Sequence, residues 1–195
     1  LKVGRKNTDK GENYFIEIMT KCSKLMQSIV NNPKPVIAEV AGTATAAGCQ
    51  LVASCDLAYA GKSARFATPG VNIGLFCSTP MVALSRNVTN KNSMEMLLTG
   101  ELISSEKAEK IGLINKVIDD SNLQSYTLKV ALKISKKSSM TVKIGKKAFY
   151  KQVDMTLSEA YDYASKVMVD NMLKVDAEEG IDAFIEKRNP NWQDK

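Results

Sequence analysis

The strand-like segments of this chain lie mainly in its first third, and their order constrains the fold more than any other feature. Short β-branched or alanine-rich runs at 35–41, 57–60 and 64–67 predict strands. From Pro80 onward helical periodicity dominates, apart from one short extended piece at 113–117. Strands that alternate with helices and then give way to helices alone indicate an α/β layer followed by a helical region.

The predicted helices carry start or stop signals in addition to their apolar stripes. The first runs from Glu12 to Val30 and ends before Pro33. Ser104 precedes Lys107 by one helical turn, with Glu106 between them, and this pattern resembles a capping box. The other helices are predicted at 48–54, 80–86, 91–98, 104–110, 121–137, 139–150, 156–173 and 176–187.

The visible strands are too few for an independent sheet, which commonly has roughly five or six. The chain also opens at Leu1 with polar residues, so we expect further strands upstream of it. The predicted organisation is a core over residues 1–135 that lacks its first strands, followed by a C-terminal helical region over residues 136–195. The uncharged stretch 68–79 predicts a buried or pocket-lining loop.

Composition excludes several kinds of function. The sequence contains no histidine, so Ser-His-Asp and Cys-His nucleophilic systems and histidine-ligated metals cannot form within it. Cys22, Cys49, Cys55 and Cys77 form no C-x-x-C pair, which argues against structural zinc and predicts small buried residues in a reducing compartment. The net charge of +6 is diffuse, so nucleic-acid binding is not indicated. No apolar run approaches the ~20 residues of a membrane helix.

One segment, Val36 to Asp56, has the pattern of a site for an anion or an oxyanion. A predicted strand leads through the small residues 42–47 into a helix. The first N–H groups of a helix have no intrahelical partner and lie at the positive end of its dipole. Small side chains let a ligand approach them, although close packing of helix on strand explains the same residues equally well. The Gly-x-Gly-x-x-Gly spacing of dinucleotide-binding turns is not met.

Short motifs follow one another in order along residues 35–192. They are Pro35-Val36-Ile37-Ala38, Gly42, Ala46-Ala47-Gly48-Cys49, Ser54-Cys55-Asp56-Leu57, Phe66-Ala67-Thr68-Pro69, Met96-Leu97-Leu98-Thr99-Gly100, Ile103-Ser104, Ala108, Gly112-Leu113, Glu179-Gly180-Ile181-Asp182-Ala183-Phe184 and Lys187-Arg188. Together these motifs resemble those of the crotonase, or enoyl-CoA hydratase/isomerase, superfamily. Three further stretches, at 44–50, 74–80 and 149–152, resemble a mitochondrial-type member of it. The resemblance implies an α/β fold with a ClpP/crotonase-like ββα superhelix core and a C-terminal helical trimerisation region.

The resemblance also implies a coenzyme A thioester whose carbonyl oxygen lies between two backbone N–H donors. In this chain one donor would be Ala47, flanked by Ala46 and Gly48, and the other would lie upstream of Leu1. No cofactor is implied beyond the coenzyme A that the substrate carries. The implied partners are an acyl-CoA ligand and further copies of the chain in a homotrimer or hexamer, without nucleic acid or membrane.

Two basic residues, Lys187 and Arg188, match a C-terminal stretch in which family members place positive charge near the phosphates of coenzyme A. A structural role explains them equally well. The resemblance further implies an intracellular address, mitochondrial in a eukaryote and cytoplasmic in a bacterium.

The chain departs from the pattern of the hydratases at both catalytic glutamates, whose positions here hold Gln50 and Gly70. General acid–base catalysis contributes ~100- to ~10,000-fold, whereas an oxyanion donor contributes ~100- to ~1,000-fold. We therefore expect negligible classical hydratase activity. Cys77 lies near the position of an acid in a related synthase, but without histidine a packed core cysteine is the alternative.

Three functions remain open on the sequence. The chain resembles an acyl-CoA-processing enzyme of fatty-acid metabolism with its hydratase glutamates replaced. It could equally be a non-catalytic acyl-CoA-binding or regulatory protein that keeps the fold. A more remote alternative is an interaction module formed by the basic C-terminal helices.

Overall fold

The computed structural model describes Lys6 and residues 9–195, which divide into two compact units. The first, called the core unit, contains the described residues up to Val30 together with 36–127. The second, called the C-terminal unit, contains 31–35 and 128–195.

The strands of the core unit form two small sheets. One has the order β1-β3-β6 with both pairs parallel, and it aligns Ala38 with Ala58. The other has the order β2-β4-β5, with β2 parallel and β5 antiparallel to β4, and it aligns Thr45 with Ala67. The strands are β1 (Ile37–Val40), β2 (Thr43–Thr45), β3 (Leu57–Gly61), β4 (Arg65–Ala67), β5 (Ile103–Ser104) and β6 (Lys116–Ile118).

The helices agree closely with their predicted positions. None of those that the structure describes is both long and apolar enough to cross a membrane. They are α1 (Glu12–Val30), α2 (Ala47–Ser54), α3 (Ser78–Asn87), α4 (Asn90–Thr99), α5 (Ser105–Lys110), α6 (Leu123–Ser135), α7 (Ser139–Gln152), α8 (Leu157–Met172) and α9 (Val175–Ile185), with short 3₁₀ helices at Pro69–Ile73 and Asp120–Asn122.

Helix α2 is held in the core unit by small apolar residues and by one side-chain hydrogen bond from α3. Cys49 is fully buried, as are Phe66 of β4 and Leu84 of α3. The Asn87 side chain at the end of α3 donates to the carbonyl of Ala53 at 2.8 Å. Because these contacts fix α2 along its length, the position of its first turn is fixed as well.

Helix caps were predicted from the sequence more successfully than short paired strands. The cap at Ser104 is confirmed, since its hydroxyl accepts the N–H of Lys107 at 3.2 Å. Strands β2 and β5 were not predicted. The stretch 68–79, predicted to be buried or to line a pocket, is buried at Thr68 and Cys77, whereas Ile73 in its middle is 72% exposed. Lack of charge in a loop does not by itself produce burial.

The C-terminal unit is stabilised by its last residues. The buried Asp176 carboxylate accepts the N–H groups of Gln193 and Asp194, and a hydrogen bond from Ser138 is the main cause that lowers its pKa. Asp194 accepts in turn the first N–H group of α7, that of Ser139, at 2.8 Å. The indole N–H of Trp192 donates to the carbonyl of Lys136 at 2.8 Å. The chain end is therefore anchored to α7 and α9.

Candidate functional site

The turn between β2 and α2 holds the peptide that the sequence singled out. The N–H of Ala46 donates to the carbonyl of Ala67 on β4 at 3.0 Å, and the carbonyl of Ala46 accepts the N–H of Gln50 at 3.0 Å. A trans peptide points its carbonyl and its N–H in opposite directions. Since the carbonyl of Ala46 points along α2, the N–H of Ala47 points away from the helix.

Two donors at the start of α2 are open. Within residues 9–195, the N–H groups of Ala47 and Gly48 meet no acceptor at hydrogen-bonding distance, and both residues are exposed. Ala46 lacks a side-chain oxygen with which to cap them. A Cβ placed on Gly48 would meet no atom within 4 Å, so close packing of helix on strand does not account for this glycine. The turn can therefore receive a polar oxygen from outside the chain.

Ala46 adopts an unusual backbone conformation for an alanine. Its φ is 49° and its ψ is −115°, which places it among the few non-glycine residues of the described chain with positive φ. Strain of this kind is found in proteins chiefly where the surrounding structure enforces it. The two hydrogen bonds of the Ala46 backbone supply that constraint.

Gln50, the first position at which the sequence resemblance implies a hydratase glutamate, is buried. Gln50 is 4% exposed, and its Oε1 accepts a hydrogen bond from the thiol of Cys22 on α1 at 3.6 Å. Its side chain therefore lies at the contact between α1 and α2. A neutral amide satisfies that environment, whereas a carboxylate would lose its hydration there.

The second position, Gly70, has no room for a side chain. A Cβ there would lie 2.8 Å from the carbonyl oxygen of Leu75 and 2.9 Å from the Sγ of Cys77. The N–H of Gly70 donates to the same sulfur at 3.3 Å. The structure thus brings Gly70 and Cys77 together, and the thiol occupies the space into which a residue at position 70 would extend.

The cysteines divide into two buried and two half-buried residues, so the prediction that all four are buried is confirmed only for Cys49 and Cys77. Burial is the main cause that raises the pKa of Cys49 to about 12, and the charge of Cys77 adds to it. Cys49 is therefore a thiol at neutral pH. In the part of the chain that the structure describes, no group of three or more His, Cys, Asp or Glu residues is placed to hold a metal ion.

Lys187 and Arg188 lie in the C-terminal unit, just after α9. The guanidinium of Arg188 binds both oxygens of Glu179, at 2.6 and 2.9 Å, and its Nε donates to Glu186. This hydrogen bonding is the main cause that lowers the pKa of Glu179 to about 2. Lys187 is exposed, with a φ of 55°.

One polar residue near the site, Thr68, belongs to a family motif but has no predicted role. It follows Ala67, is fully buried, and its hydroxyl has no partner among the described residues. The sequence contains no signal for this feature, because a threonine before proline is common in turns.

Nearly the whole chain is similar to one family of known proteins. A profile of the enoyl-CoA hydratase/isomerase family matches residues 7–195. The mouse enoyl-CoA hydratase domain-containing protein 3, named as mitochondrial, is 52% identical over 183 residues, which are 94% of this chain and 61% of that protein. Its human counterpart is 52% identical over 184 residues, with the same coverage of 94% and 61%.

Solved structures give the same result for the fold. The crystal structure of the human domain-containing protein 3 matches with a TM-score of 0.93 and 50% identity, over 97% of this chain and 75% of that one. An enoyl-CoA hydratase from Mycobacterium smegmatis matches with a TM-score of 0.90 and 47% identity, over 93% and 70%.

The chain spans 61% of the length of the mouse and human relatives. The predicted superfamily and its mitochondrial-type member are thereby confirmed as the relatives of this sequence, and the predicted α/β fold is confirmed by the solved structures. This chain belongs to the enoyl-CoA hydratase/isomerase family and has the crotonase fold.

Proposed function

We propose that the protein carrying this chain binds the thioester of an acyl-CoA with the backbone amide of Ala47 and serves in fatty-acid metabolism. The observation that supports this most is the exposed, unpaired N–H of Ala47, beside the open space over Gly48. A neutral amide at a helix start polarises a carbonyl without any side chain.

The proposed protein has negligible classical hydratase activity. Addition of water to an enoyl thioester needs a group that activates the water and a group that delivers a proton to the α-carbon. Gln50 cannot exchange a proton near neutral pH and its side chain contacts Cys22, while Gly70 has no side chain. Loss of both groups leaves only the contribution of the oxyanion donors.

The second candidate function is non-catalytic binding or regulation by acyl-CoA. It is favoured by the contacts of Gly70, where Leu75 and Cys77 fill the space that an acid would need. An enzyme with a different reaction would place another proton-transfer group in that space. The Cys77 thiol is the candidate for that role, but it is 8% exposed and is engaged by the N–H of Gly70.

Titration of the full-length protein with CoA and with crotonyl-CoA tests binding, and an assay of crotonyl-CoA hydration tests turnover. We expect saturable binding of crotonyl-CoA without hydration. Hydration near the rate of ordinary hydratases would show that our interpretation of Gln50 and Gly70 is wrong. If neither ligand binds saturably, only the interaction module remains of the functions considered.

For the phosphates of coenzyme A, Lys187 is the better candidate of the two basic residues. The guanidinium of Arg188 is engaged by Glu179 and Glu186, whereas the Lys187 side chain is exposed. We expect Lys187→Gln to weaken binding of CoA and of acyl-CoA by the same factor. A change confined to acyl-CoA would contradict a contact with the phosphates.

We also propose that the C-terminal unit forms a homotrimer or hexamer. Large apolar side chains are exposed there, including Phe184 at 84%, Leu173 at 81% and Leu157 at 77%. Apolar groups exposed to this extent are typical of surfaces that another subunit covers. Sedimentation equilibrium of the full-length protein gives the number of subunits, and a monomer at micromolar concentration would contradict the proposal. A mitochondrial address is proposed from the names of the relatives.

A further inference from the structure

Thr68 has a buried hydroxyl without a hydrogen-bond partner. The residue is 0% exposed, and among the described side chains of the core unit its Oγ1 is the only fully buried oxygen or nitrogen left unpaired. Buried hydroxyl groups in folded proteins are almost always paired with protein or with ordered water. The free energy of an unpaired one is unfavourable.

The hydroxyl does not make the hydrogen bond that a threonine at the start of a helix commonly makes. Thr68 directly precedes the 3₁₀ helix Pro69–Ile73, where a threonine side chain commonly accepts an N–H of the first turn. No such bond forms here. The N–H of Gly70 donates instead to the Sγ of Cys77 at 3.3 Å.

A second unpaired group lies in the adjacent first turn of α2. Cys49 is fully buried, and within residues 9–195 its N–H donates to no acceptor, because N–H groups in the first turn of a helix have no intrahelical partner. The register of β2 and β4 aligns Thr45 with Ala67, and Ala46 donates to Ala67. Thr68 therefore follows β4 at the point where α2 begins.

We propose that one internal water molecule binds between the Oγ1 of Thr68 and the N–H of Cys49. The water accepts the N–H and exchanges a hydrogen bond with the hydroxyl, so that two buried polar groups are satisfied at once. Internal waters typically occupy such positions and make two to four hydrogen bonds. The water braces the first turn of α2, which carries Ala47. This site needs no acyl-CoA, so it goes beyond the proposed function and can be refuted without it.

Thr68→Val in the full-length protein tests the proposal by the sign of its effect. Valine has nearly the shape of threonine but cannot bind the water. If the water is present, its loss leaves the N–H of Cys49 unpaired, and we expect the melting temperature to fall by about 2 to 6 °C. If the hydroxyl has no partner, valine removes an unfavourable polar group and the melting temperature stays or rises.

Thr127→Val is the matched control. Thr127 is also buried, but its hydroxyl donates to the carbonyl of Leu123 at 2.9 Å, one turn earlier in α6. That carbonyl keeps its helical N–H partner when the hydroxyl is removed, so we expect the melting temperature to change less in Thr127→Val than in Thr68→Val.

A crystal structure of the wild-type protein gives an independent measurement. We expect density for one water within hydrogen-bonding distance of both the Oγ1 of Thr68 and the N of Cys49. A dry site, a direct bond between those two atoms, or a Thr68→Val variant at least as stable as the wild type would each overturn the proposal.

Discussion

The substitution Gly48→Ala tests whether a ligand reaches the first turn of α2. Gly48 has a negative φ and is exposed, and a Cβ there would meet no atom within 4 Å. The free protein should therefore accept the methyl group. Alanine is favoured over glycine within a helix by about 0.5–1 kcal/mol, so the free energy of unfolding should be unchanged or higher by up to that amount.

The effect on binding should have the opposite sign. The Cα–Cβ bond of a helical residue tilts toward the helix N-terminus, so the new methyl lies beside the N–H groups of Ala47 and position 48. Displacing a thioester oxygen from the Ala47 amide loses one hydrogen bond, worth about 1–1.5 kcal/mol. This corresponds to roughly 5- to 12-fold weaker binding of acyl-CoA. Binding of free CoA, which has no thioester, should not change.

Gly145→Ala is the matched control for this experiment. Gly145 lies in α7, is exposed, has a negative φ, and would also place its Cβ in open space. The Gly145→Ala variant should gain a similar free energy of unfolding without any change in its affinity for acyl-CoA. The measurements are urea unfolding and isothermal titration of crotonyl-CoA and CoA with the full-length protein. If Gly48→Ala binds crotonyl-CoA as tightly as the wild type does, the thioester does not approach this turn and the proposed function is wrong.

The contacts of Gly70, Glu179 and Cys49 each have a measurable consequence. Gly70→Ala should lower the free energy of unfolding by about 1–3 kcal/mol, measured in urea, because even a methyl group overlaps its neighbours. The pKa of Glu179 is lowered from 4.5 to about 2 by Arg188, so its ionised carboxylate should stabilise the fold above pH 4.5 and this stabilisation should be lost as the pH falls toward 2. In urea unfolding, the midpoint of Glu179→Gln should not show the decrease between pH 4.5 and 2 that this carboxylate causes in the wild type. The Cys49 thiol, with a pKa of about 12, should resist iodoacetamide at pH 8 in the folded protein, whereas the half-buried Cys22 and Cys55 should react before it, as peptide mass spectrometry would show.

Features set by residues close together in the sequence were predicted correctly, whereas short strands that form only by pairing with a distant strand were not. The cap at Ser104 was visible because donor and acceptor are one turn apart. Strand β2 was not, because Thr43–Thr45 consists of small residues and becomes a strand only by pairing with β4. The exposure of Ile73 was missed because the sequence does not say which side of a loop faces the core.

The sequence predicted which positions belong to the site but not the contacts or backbone angles that they have in the structure. The resemblance to hydratases predicts Gln50 and Gly70 as the positions of their two acids, yet the contact of Gln50 with Cys22 joins residues far apart in the chain. The overlap of position 70 with Cys77 likewise depends on how the loop closes. The positive φ of Ala46 had no sequence signal, because alanine rarely adopts it.

The backbone donor of the proposed site and the two predicted acid positions depend on different parts of the structure. The Ala47 donor belongs to the backbone, so it persists as long as α2 begins where the carbonyl of Ala46 accepts the N–H of Gln50. The acids of hydratases are side chains, and the two positions that the resemblance assigns to them make other contacts in this chain, with Gln50 against Cys22 of α1 and Gly70 against the Cys77 sulfur. Glutamate at position 70 would overlap a carbonyl oxygen of the backbone, which no change of side chain removes. If the proposed function is correct, we expect the absence of hydration to depend on the loop conformation as well as on the identities of residues 50 and 70.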